Sequence, residues 1–132
     1  MSALNFKSRF APLVKNGTKT QTIRKPRPIK KGETVYLFTG QRTKNCERLG
    51  TGIVTDVLPL RIYDLTLGGV SLGICQIYLD DDCLNQEEFE VLATADGFDN
   101  TGDFVEFFKQ CYELPFTGIL IKWTLKTTGG AV

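Results

Sequence analysis

The stretch from residue 17 to residue 25, GTKTQTIRK, concentrates side chains that could do chemistry. It places a lysine and a threonine three positions apart, Lys19 and Thr22, and Arg24 follows. A hydroxyl can act as a nucleophile or position a water molecule, and a lysine can act as a base once its amine is deprotonated. The same composition also suits an exposed β-strand, because threonine favours pleated strands and charged side chains favour solvent. This stretch alone leaves both interpretations open.

The absence of histidine from all 132 residues narrows the chemistry further. It excludes Ser-His-Asp and Cys-His catalysis, histidine metal sites and acid–base catalysis by histidine. A catalytic base in this chain has to be a lysine, a carboxylate, a tyrosine or a thiolate. A lysine serves as a base when burial or a neighbouring cation lowers its pKa below the ordinary value of about 10.4.

The four cysteines, Cys46, Cys75, Cys83 and Cys111, are widely spaced and form no C-x-x-C pair. Structural zinc sites usually need such pairs, or cysteine together with histidine, so we expect reduced thiols, no metal and no cofactor. No apolar run approaches the roughly 20 residues of a membrane-spanning helix, and the N-terminus lacks the apolar segment of a secretory signal. We therefore expect a cytoplasmic protein without a membrane partner, whose oligomeric state stays open.

The net charge of +1 conceals an uneven distribution of charge along the chain. Residues 1–50 hold 12 of the 16 Lys and Arg and 2 of the 15 Asp and Glu, a net of +10, and residues 51–132 hold 4 and 13, a net of −9. A basic segment of this density can supply contacts to nucleic-acid phosphates. The alternative is that the two segments interleave in space and neutralise each other.

Strand signals dominate the first 80 residues. Before the first predicted strand, Ser8 is a candidate cap for a short helix that stops at Gly17. The glycines of segment 48–57 indicate a bulge or a tight bend of the sheet. The predicted strands cover residues 19–24, 33–39, 48–57, 58–64 and 74–79.

Helix signals follow in the last third of the chain. Asn85 with Glu88 three residues later is an N-terminal capping signature for a helix that runs to Ala95 and is closed by Gly97. A second helix is predicted from Thr101 to Tyr112, with an apolar stripe of Phe104, Phe107, Phe108 and Cys111. A last strand is expected over 118–125 and a loose tail over 127–132. Several strands with two or three short helices indicate a small α+β protein around a curved sheet or barrel.

Four motifs in this order resemble a known family. They are G-x-K-x-x-T-x-R at 17–24, G-E-x-V-Y-L at 32–37, the loop TGQRTKNCERLG at 39–50, and ADGFDNTGDFVEFFKQCY at 95–112. Together they resemble the ASCH domain of the PUA-like superfamily, in its phage and prophage branch, from about Leu4 to Trp123. The resemblance implies a single ASCH domain over residues 1–132, folded as a small PUA-like β-barrel with two to three flanking helices.

The same resemblance implies a cleft that holds RNA or a modified nucleoside. Some small bacterial ASCH proteins are amidohydrolases that remove the acetyl group from N4-acetylcytidine, and their catalytic residues match Lys19, Thr22 and Asp96. The hydrolases have a glutamate where this chain has Asp96, whose carboxylate reaches about 1 Å less far. In a regular strand residues 19 and 22 point to opposite faces, so both serve one site only if Lys19 precedes the strand or lies at a bulge.

Basic and aromatic residues beside these three are the candidates for holding RNA. Basic side chains of the 39–50 loop, with Lys30 and Lys31, are placed to contact phosphates, Tyr36 or Phe38 to stack a base, and backbone N–H groups near Gly40 to bind an oxyanion. A merely solvated loop and a core position for Tyr36 or Phe38 are the alternatives. Three functions compete: a non-catalytic RNA-binding module, an N4-acetylcytidine amidohydrolase, and a metal-independent ribonuclease. The candidate binding residues are Arg24, Tyr36, Gly40, Arg42, Lys44 and Arg48.

Overall fold

The computed structural model describes residues 2–126, and the predicted tail at 127–132 lies outside the described residues. Ten elements follow one another along the chain, and strands predominate over helices. They are β1 Ser2–Phe6, α1 Ala11–Lys15, β2 Gln21–Arg24, β3 Thr34–Thr39, β4 Glu47–Leu67, β5 Val70–Leu79, β6 Asp82–Cys83, α2 Gln86–Ala95, α3 Thr101–Cys111 and β7 Phe116–Leu125.

The strands pair in the order β1-β3-β4-β5-β6, and β7 pairs with both β4 and β2. The predicted mixture of a sheet with a few helices is confirmed, and the class is α+β. Over the described residues this pairing does not close on itself. The predicted barrel is therefore not confirmed, because strand periodicity specifies which residues form strands and leaves open which strand edges meet.

The chain divides into two compact units, each assembled from separate segments. Unit 1 comprises the described residues of segments 1–22, 27–57 and 121–132, and unit 2 comprises segments 23–26 and 58–120. The strands β2, β4 and β7 each contribute residues to both units. The prediction of a single domain over 1–132 stays a prediction.

Unit 1 is built on a parallel pair of strands. β1 alternates buried Leu4 and Phe6 with exposed residues, and it pairs in parallel with β3, whose Val35 and Leu37 are completely buried. We did not predict β1 from the sequence, although its period of two is the signal of a half-buried strand. The antiparallel pairing of β3 with β4 shifts register next to Leu37 and leaves Leu49 as an extra residue. The bulge expected in segment 48–57 is thus confirmed.

Unit 2 combines a β-hairpin with two helices. β4 turns into β5 through Gly68 and Gly69, which both have positive φ angles, of 59° and 81°. Asn85 accepts a hydrogen bond from the backbone N–H of Glu88, and the side chain of Glu88 caps Asn85 in return, so the predicted capping box of α2 is confirmed. The aromatic core packs around Phe104 with ring centroids 4.6 to 5.3 Å away; its other members are Phe89, Phe98 and Phe108.

Several predicted boundaries differ from the structure. Phe10, and not Ser8, occupies the N-cap of α1, and no side chain caps this helix. The strand predicted over 19–24 begins only at Gln21. The segments 48–57 and 58–64 are parts of one strand, β4.

Candidate functional site

Polar and charged side chains are rare in the core of the described chain. Four are buried: Lys19, Gln21, Thr22 and Asp96, with exposed fractions of 2%, 7%, 5% and 4%. Three of these four are the residues predicted to be catalytic. Charged side chains are almost never fully buried in proteins unless they are paired, and perturbed groups of this kind cluster at functional sites.

Lys19 and Thr22 can serve one site only if Lys19 precedes the strand or lies at a bulge, and the structure meets the first of these conditions. Lys19 precedes the strand, which begins at Gln21, so the alternation of strand side chains does not force Lys19 and Thr22 to opposite faces. The interpretation of this stretch as an exposed strand is wrong, because Gln21, Thr22 and Ile23 are all buried. Both predicted residues therefore belong to the interior of unit 1.

The ammonium group of Lys19 lies among aromatic rings. Its Nζ is 5.1 Å from the ring centroid of Phe10 and 5.9 Å from that of Phe6. Ring faces attract a cation, and this attraction grows when water is excluded. The backbone N–H of Lys19 donates to the carbonyl oxygen of Leu13, which fixes the chain where it leaves α1. The sequence analysis did not identify Phe6 and Phe10 as neighbours of Lys19; they lie four positions apart, at the end of β1 and at the N-cap of α1.

Asp96 occupies the C-cap of α2 in unit 2. Its backbone N–H donates to the carbonyl oxygen of Leu92, and Gly97 follows with a φ of 100°, as the predicted helix stop requires. The carboxylate is therefore attached to a rigid helix end and is removed from solvent. The local sequence predicted this helix end correctly. It did not predict that the Asp96 side chain is buried, because burial depends on the tertiary fold.

Tyr36 and Arg48 form a pair on the half-exposed face of unit 1. The guanidinium of Arg48 lies 4.8 Å from the ring centroid of Tyr36 and donates to Thr51 Oγ1 at 2.5 Å. Phe38 is directly opposite Arg48 in the register of β3 with β4, and like Tyr36 it is only partly buried. Neither aromatic residue is in the core, so both offer ring surface on one face of the sheet.

The loop between β3 and β4 is largely exposed, and hydrogen bonds within the loop connect its residues. Thr43 donates to the carbonyl oxygen of Gly40 through both its backbone N–H and its hydroxyl, and the N–H of Asn45 donates to that hydroxyl. The N–H of Gln41 donates to Asn5 Oδ1. Because these N–H groups already have acceptors, the geometry does not favour an oxyanion site around Gly40.

The remaining candidates differ in exposure. Arg42 and Lys44 point from the loop into solvent, and Arg42 has a positive φ of 66°. Arg24 ends β2 and is half-buried in unit 2. The solvated-loop interpretation of Arg42 and Lys44 is compatible with this exposure, and so is a role in holding phosphates.

The charge asymmetry of the sequence is also present between the two units. The segments of unit 1 contain 12 Lys and Arg against 3 Asp and Glu, a net of +9, and those of unit 2 contain 4 against 12, a net of −8. The basic part of the sequence therefore folds largely into one unit. Basic surface of this kind attracts phosphate-bearing partners.

Two further buried polar atoms in unit 1, Gln21 Nε2 and Trp123 Nε1, have no hydrogen-bond partner among the described residues. Gln21 neighbours Thr22 within β2, where successive side chains point to opposite faces. The amide of Gln21 therefore faces away from the Thr22 hydroxyl, and we do not count it with the predicted catalytic residues.

Comparison of the chain with family models, with curated proteins and with solved structures finds no match. Within residues 2–126, no helix combines the length and the apolar character needed to cross a membrane. The same residues contain no group of three or more cysteine and acidic side chains placed to hold a metal ion.

Proposed function

We propose that this chain is an ASCH-type protein, with an open variant of the PUA-like barrel, that binds RNA or a modified nucleoside. We propose further that it hydrolyses the amide of N4-acetylcytidine to cytidine and acetate. The observation that carries the proposal is the burial of Lys19, Thr22 and Asp96, three of the four buried polar or charged side chains of the described chain. Burying a charged side chain costs free energy. A role in chemistry therefore explains the buried positions of Lys19 and Asp96 better than a role as ordinary surface charges does.

The proposed reaction assigns one task to each residue. The Thr22 hydroxyl, or a water molecule that it holds, attacks the acetyl carbon, and Lys19 in its amine form accepts the proton. The tetrahedral intermediate collapses by breaking the bond between the carbonyl carbon and N4, and Asp96 in its acid form donates a proton to the leaving N4. If the Thr22 hydroxyl is the attacking group, a water molecule then hydrolyses the acetyl-threonine ester. The cycle closes when Lys19 releases the proton that it accepted and Asp96 regains the one that it donated. One water molecule is consumed overall, and cytidine and acetate leave. Without histidine in the chain, this division of tasks uses the acid and base types that remain.

The first experiment measures release of cytidine from N4-acetylcytidine by chromatography. We expect turnover by the natural chain, and loss of at least about 100-fold with Lys19→Met, which keeps a long apolar stem between Phe6 and Phe10 but removes the base. Thr22→Val, which keeps the shape of the side chain, should lose activity similarly if the hydroxyl is used. Melting curves check that each variant folds.

Asp96→Glu discriminates between a weakened and an absent active site. If the shorter carboxylate limits the rate, the glutamate should raise turnover, because catalytic groups misplaced by about 1 Å lose much of their effect. The amidohydrolase proposal is rejected if both the natural chain and Asp96→Glu fail to release acetate although both are folded.

A non-catalytic RNA-binding role is the second candidate, and the Tyr36–Arg48 pair favours it. Aromatic rings and guanidinium planes on a sheet face stack unpaired bases, at about 1–3 kcal/mol per base. Tyr36→Ala should therefore weaken binding of a short single-stranded RNA by about fivefold or more, measured by fluorescence anisotropy, with Tyr36→Phe as the control that keeps the ring. Cleavage of that RNA without added metal, followed on a gel, would support the ribonuclease alternative instead.

A further inference from the structure

Unit 2 contains a cavity of about 540 Å³ that none of the predicted site residues lines. Its wall is formed by the end of α3, the segment that follows it, and Lys25 and Pro26. This volume is within the range of small-molecule sites, about 300–1,000 Å³. All the residues that line the cavity belong to unit 2.

The charges around this cavity are opposite to those of the unit that contains it. Unit 2 has four basic residues against twelve acidic ones, yet two of the four, Lys25 and Lys109, line the cavity, with Glu113 as the one acidic residue among its lining residues. Neither lysine has an ion-pair partner among the described residues. Two ammonium groups without an ion-pair partner at the wall of one cavity attract negative charge, so we expect the ligand to carry an anionic group.

Tyr112 gives the same cavity an aromatic wall. Its ring stacks on Phe108 with centroids 5.5 Å apart and an angle of 26°, and it packs against Phe116 at 4.8 Å. These two contacts hold the ring from within unit 2, while Lys25 Nζ lies 5.8 Å from the ring centroid. A ring held in this way is a rigid surface for stacking a flat ligand.

We propose that this cavity binds a nucleotide, with the base against Tyr112 and the phosphate between Lys25 and Lys109. The Glu113 carboxylate then accepts a hydrogen bond from the exocyclic amino group of the base, which is the contact that carboxylates make with N4 of cytosine. Cytosine therefore binds better than uracil, which has a carbonyl oxygen at that position. The proposal goes beyond the amidohydrolase proposal, since the ligand needs no acetyl group and the cavity contains none of the proposed catalytic residues.

Affinity measurements by calorimetry with CMP, UMP and inorganic phosphate test the chemistry. We expect CMP to bind at least about fivefold more tightly than UMP and than phosphate alone, and Glu113→Gln to abolish the difference between CMP and UMP. Lys25→Gln should weaken CMP about tenfold, and Lys25→Arg should restore most of it. Lys126→Gln removes one exposed positive charge in unit 1 and should leave CMP affinity unchanged.

The exposed thiol of Cys111 lines the cavity and reports where the nucleotide binds. Bound CMP should slow alkylation of Cys111 and leave the exposed Cys46 and Cys83 unaffected, as read by peptide mass spectrometry. Tyr112→Leu, which keeps an apolar side chain against Phe108, should remove this protection in a folded chain. Equal affinities for phosphate and CMP, equal losses with Lys25→Gln and Lys126→Gln, or no protection of Cys111 at saturating CMP would each overturn the proposal. These outcomes do not depend on hydrolysis of N4-acetylcytidine.

Discussion

At the scale of single residues, burial separates one cysteine from the other three. Burial, with the Asp64 carboxylate as the second cause, raises the pKa of the Cys75 thiol above its ordinary value of 9.0, and Lys109 opposes this in part. The other three cysteines are exposed. Because the thiolate is the reacting form, we expect three thiols to react rapidly with a chromogenic disulfide at pH 8 and Cys75 to react only after denaturation. Cys75→Ala should remove the slow thiol alone, and four equally fast thiols would contradict this assignment.

Glu33 provides a pH-dependent contribution to stability in unit 1. A hydrogen bond of 2.5 Å from the Ser2 hydroxyl is the main cause that lowers the pKa of Glu33 below 4.5, against the opposing effect of burial and with help from the N–H of Lys30. A lowered pKa in the folded state means stability that is present above the unfolded value and lost as the pH falls through the folded value.

Ser2→Ala tests this contribution. We expect the variant to be less stable than the natural chain at pH 7 by roughly 0.5–1 kcal/mol, in chemical denaturation, because the partly exposed carboxylate loses the hydroxyl that donates to it from Ser2. The difference should shrink as the pH falls below 4.5, where Glu33 becomes protonated. Ser8→Ala, which removes an exposed hydroxyl, is the control and should show no such trend. A difference that stays constant between pH 7 and pH 3 would show that the carboxylate is not involved.

The burial of Lys19 shows where residue-level prediction from sequence ends. Its type and its spacing from Thr22 made it a candidate, but residues 17–25 alone predicted an exposed strand equally well, and only the family resemblance favoured a catalytic role. The structure contradicts the exposed strand, because Lys19 is buried beside the rings of Phe6 and Phe10, which reach it through the tertiary fold. The catalytic role of Lys19 stays a prediction. Asp96, the acidic residue predicted to be catalytic, was selected only through the family resemblance and the predicted end of α2.

At the scale of elements, local signals located α2 and α3 well. They predicted two strands, 48–57 and 58–64, where the structure has the single strand β4. The capping box of Asn85 and Glu88 acts within four residues, so the sequence contains all of it. Pro59 lies within β4, between the part that pairs with β3 and the part that pairs with β5. Its missing N–H therefore removes no hydrogen bond from either ladder. The turn at Gly68 and Gly69 was a detectable hairpin signal that we did not use.

Gly52, near the start of β4, gives a prediction at this scale. A Cβ at position 52 would lie 2.9 Å from Cδ1 of Trp123, whose ring is buried and packs on Phe6 at 5.8 Å. Gly52→Ala should therefore lower the free energy of unfolding by about 1–3 kcal/mol, measured in denaturant, because the ring has little room to move. Gly102→Ala in α3 is the matched control. There the nearest atom is 3.3 Å away, and alanine is the better helix former, so we expect no loss. Equal stability of Gly52→Ala and the natural chain would show that Trp123 can shift.

At the scale of the whole molecule, the charge asymmetry along the sequence persists between the two units. The split of +10 against −9 along the chain becomes +9 against −8 between the two units, so the segments do not interleave enough to cancel. The sequence alone did not establish this, because whether segments mix depends on strand pairings far apart in the chain. An RNA partner that uses the basic unit should release counterions when it binds.

Salt dependence of RNA binding measures this release. For a single-stranded RNA, the logarithm of affinity should fall linearly with the logarithm of salt concentration, with a slope of about 0.7 for each phosphate contact. Arg42→Gln and Lys44→Gln, both at exposed positions of the loop, should each reduce the slope by about that amount. Arg42→Lys keeps the charge and should keep the slope. The electrostatic account fails if affinity is insensitive to salt, or if Arg42→Lys and Arg42→Gln change the slope equally, because counterion release depends on the charge and not on the shape of the side chain.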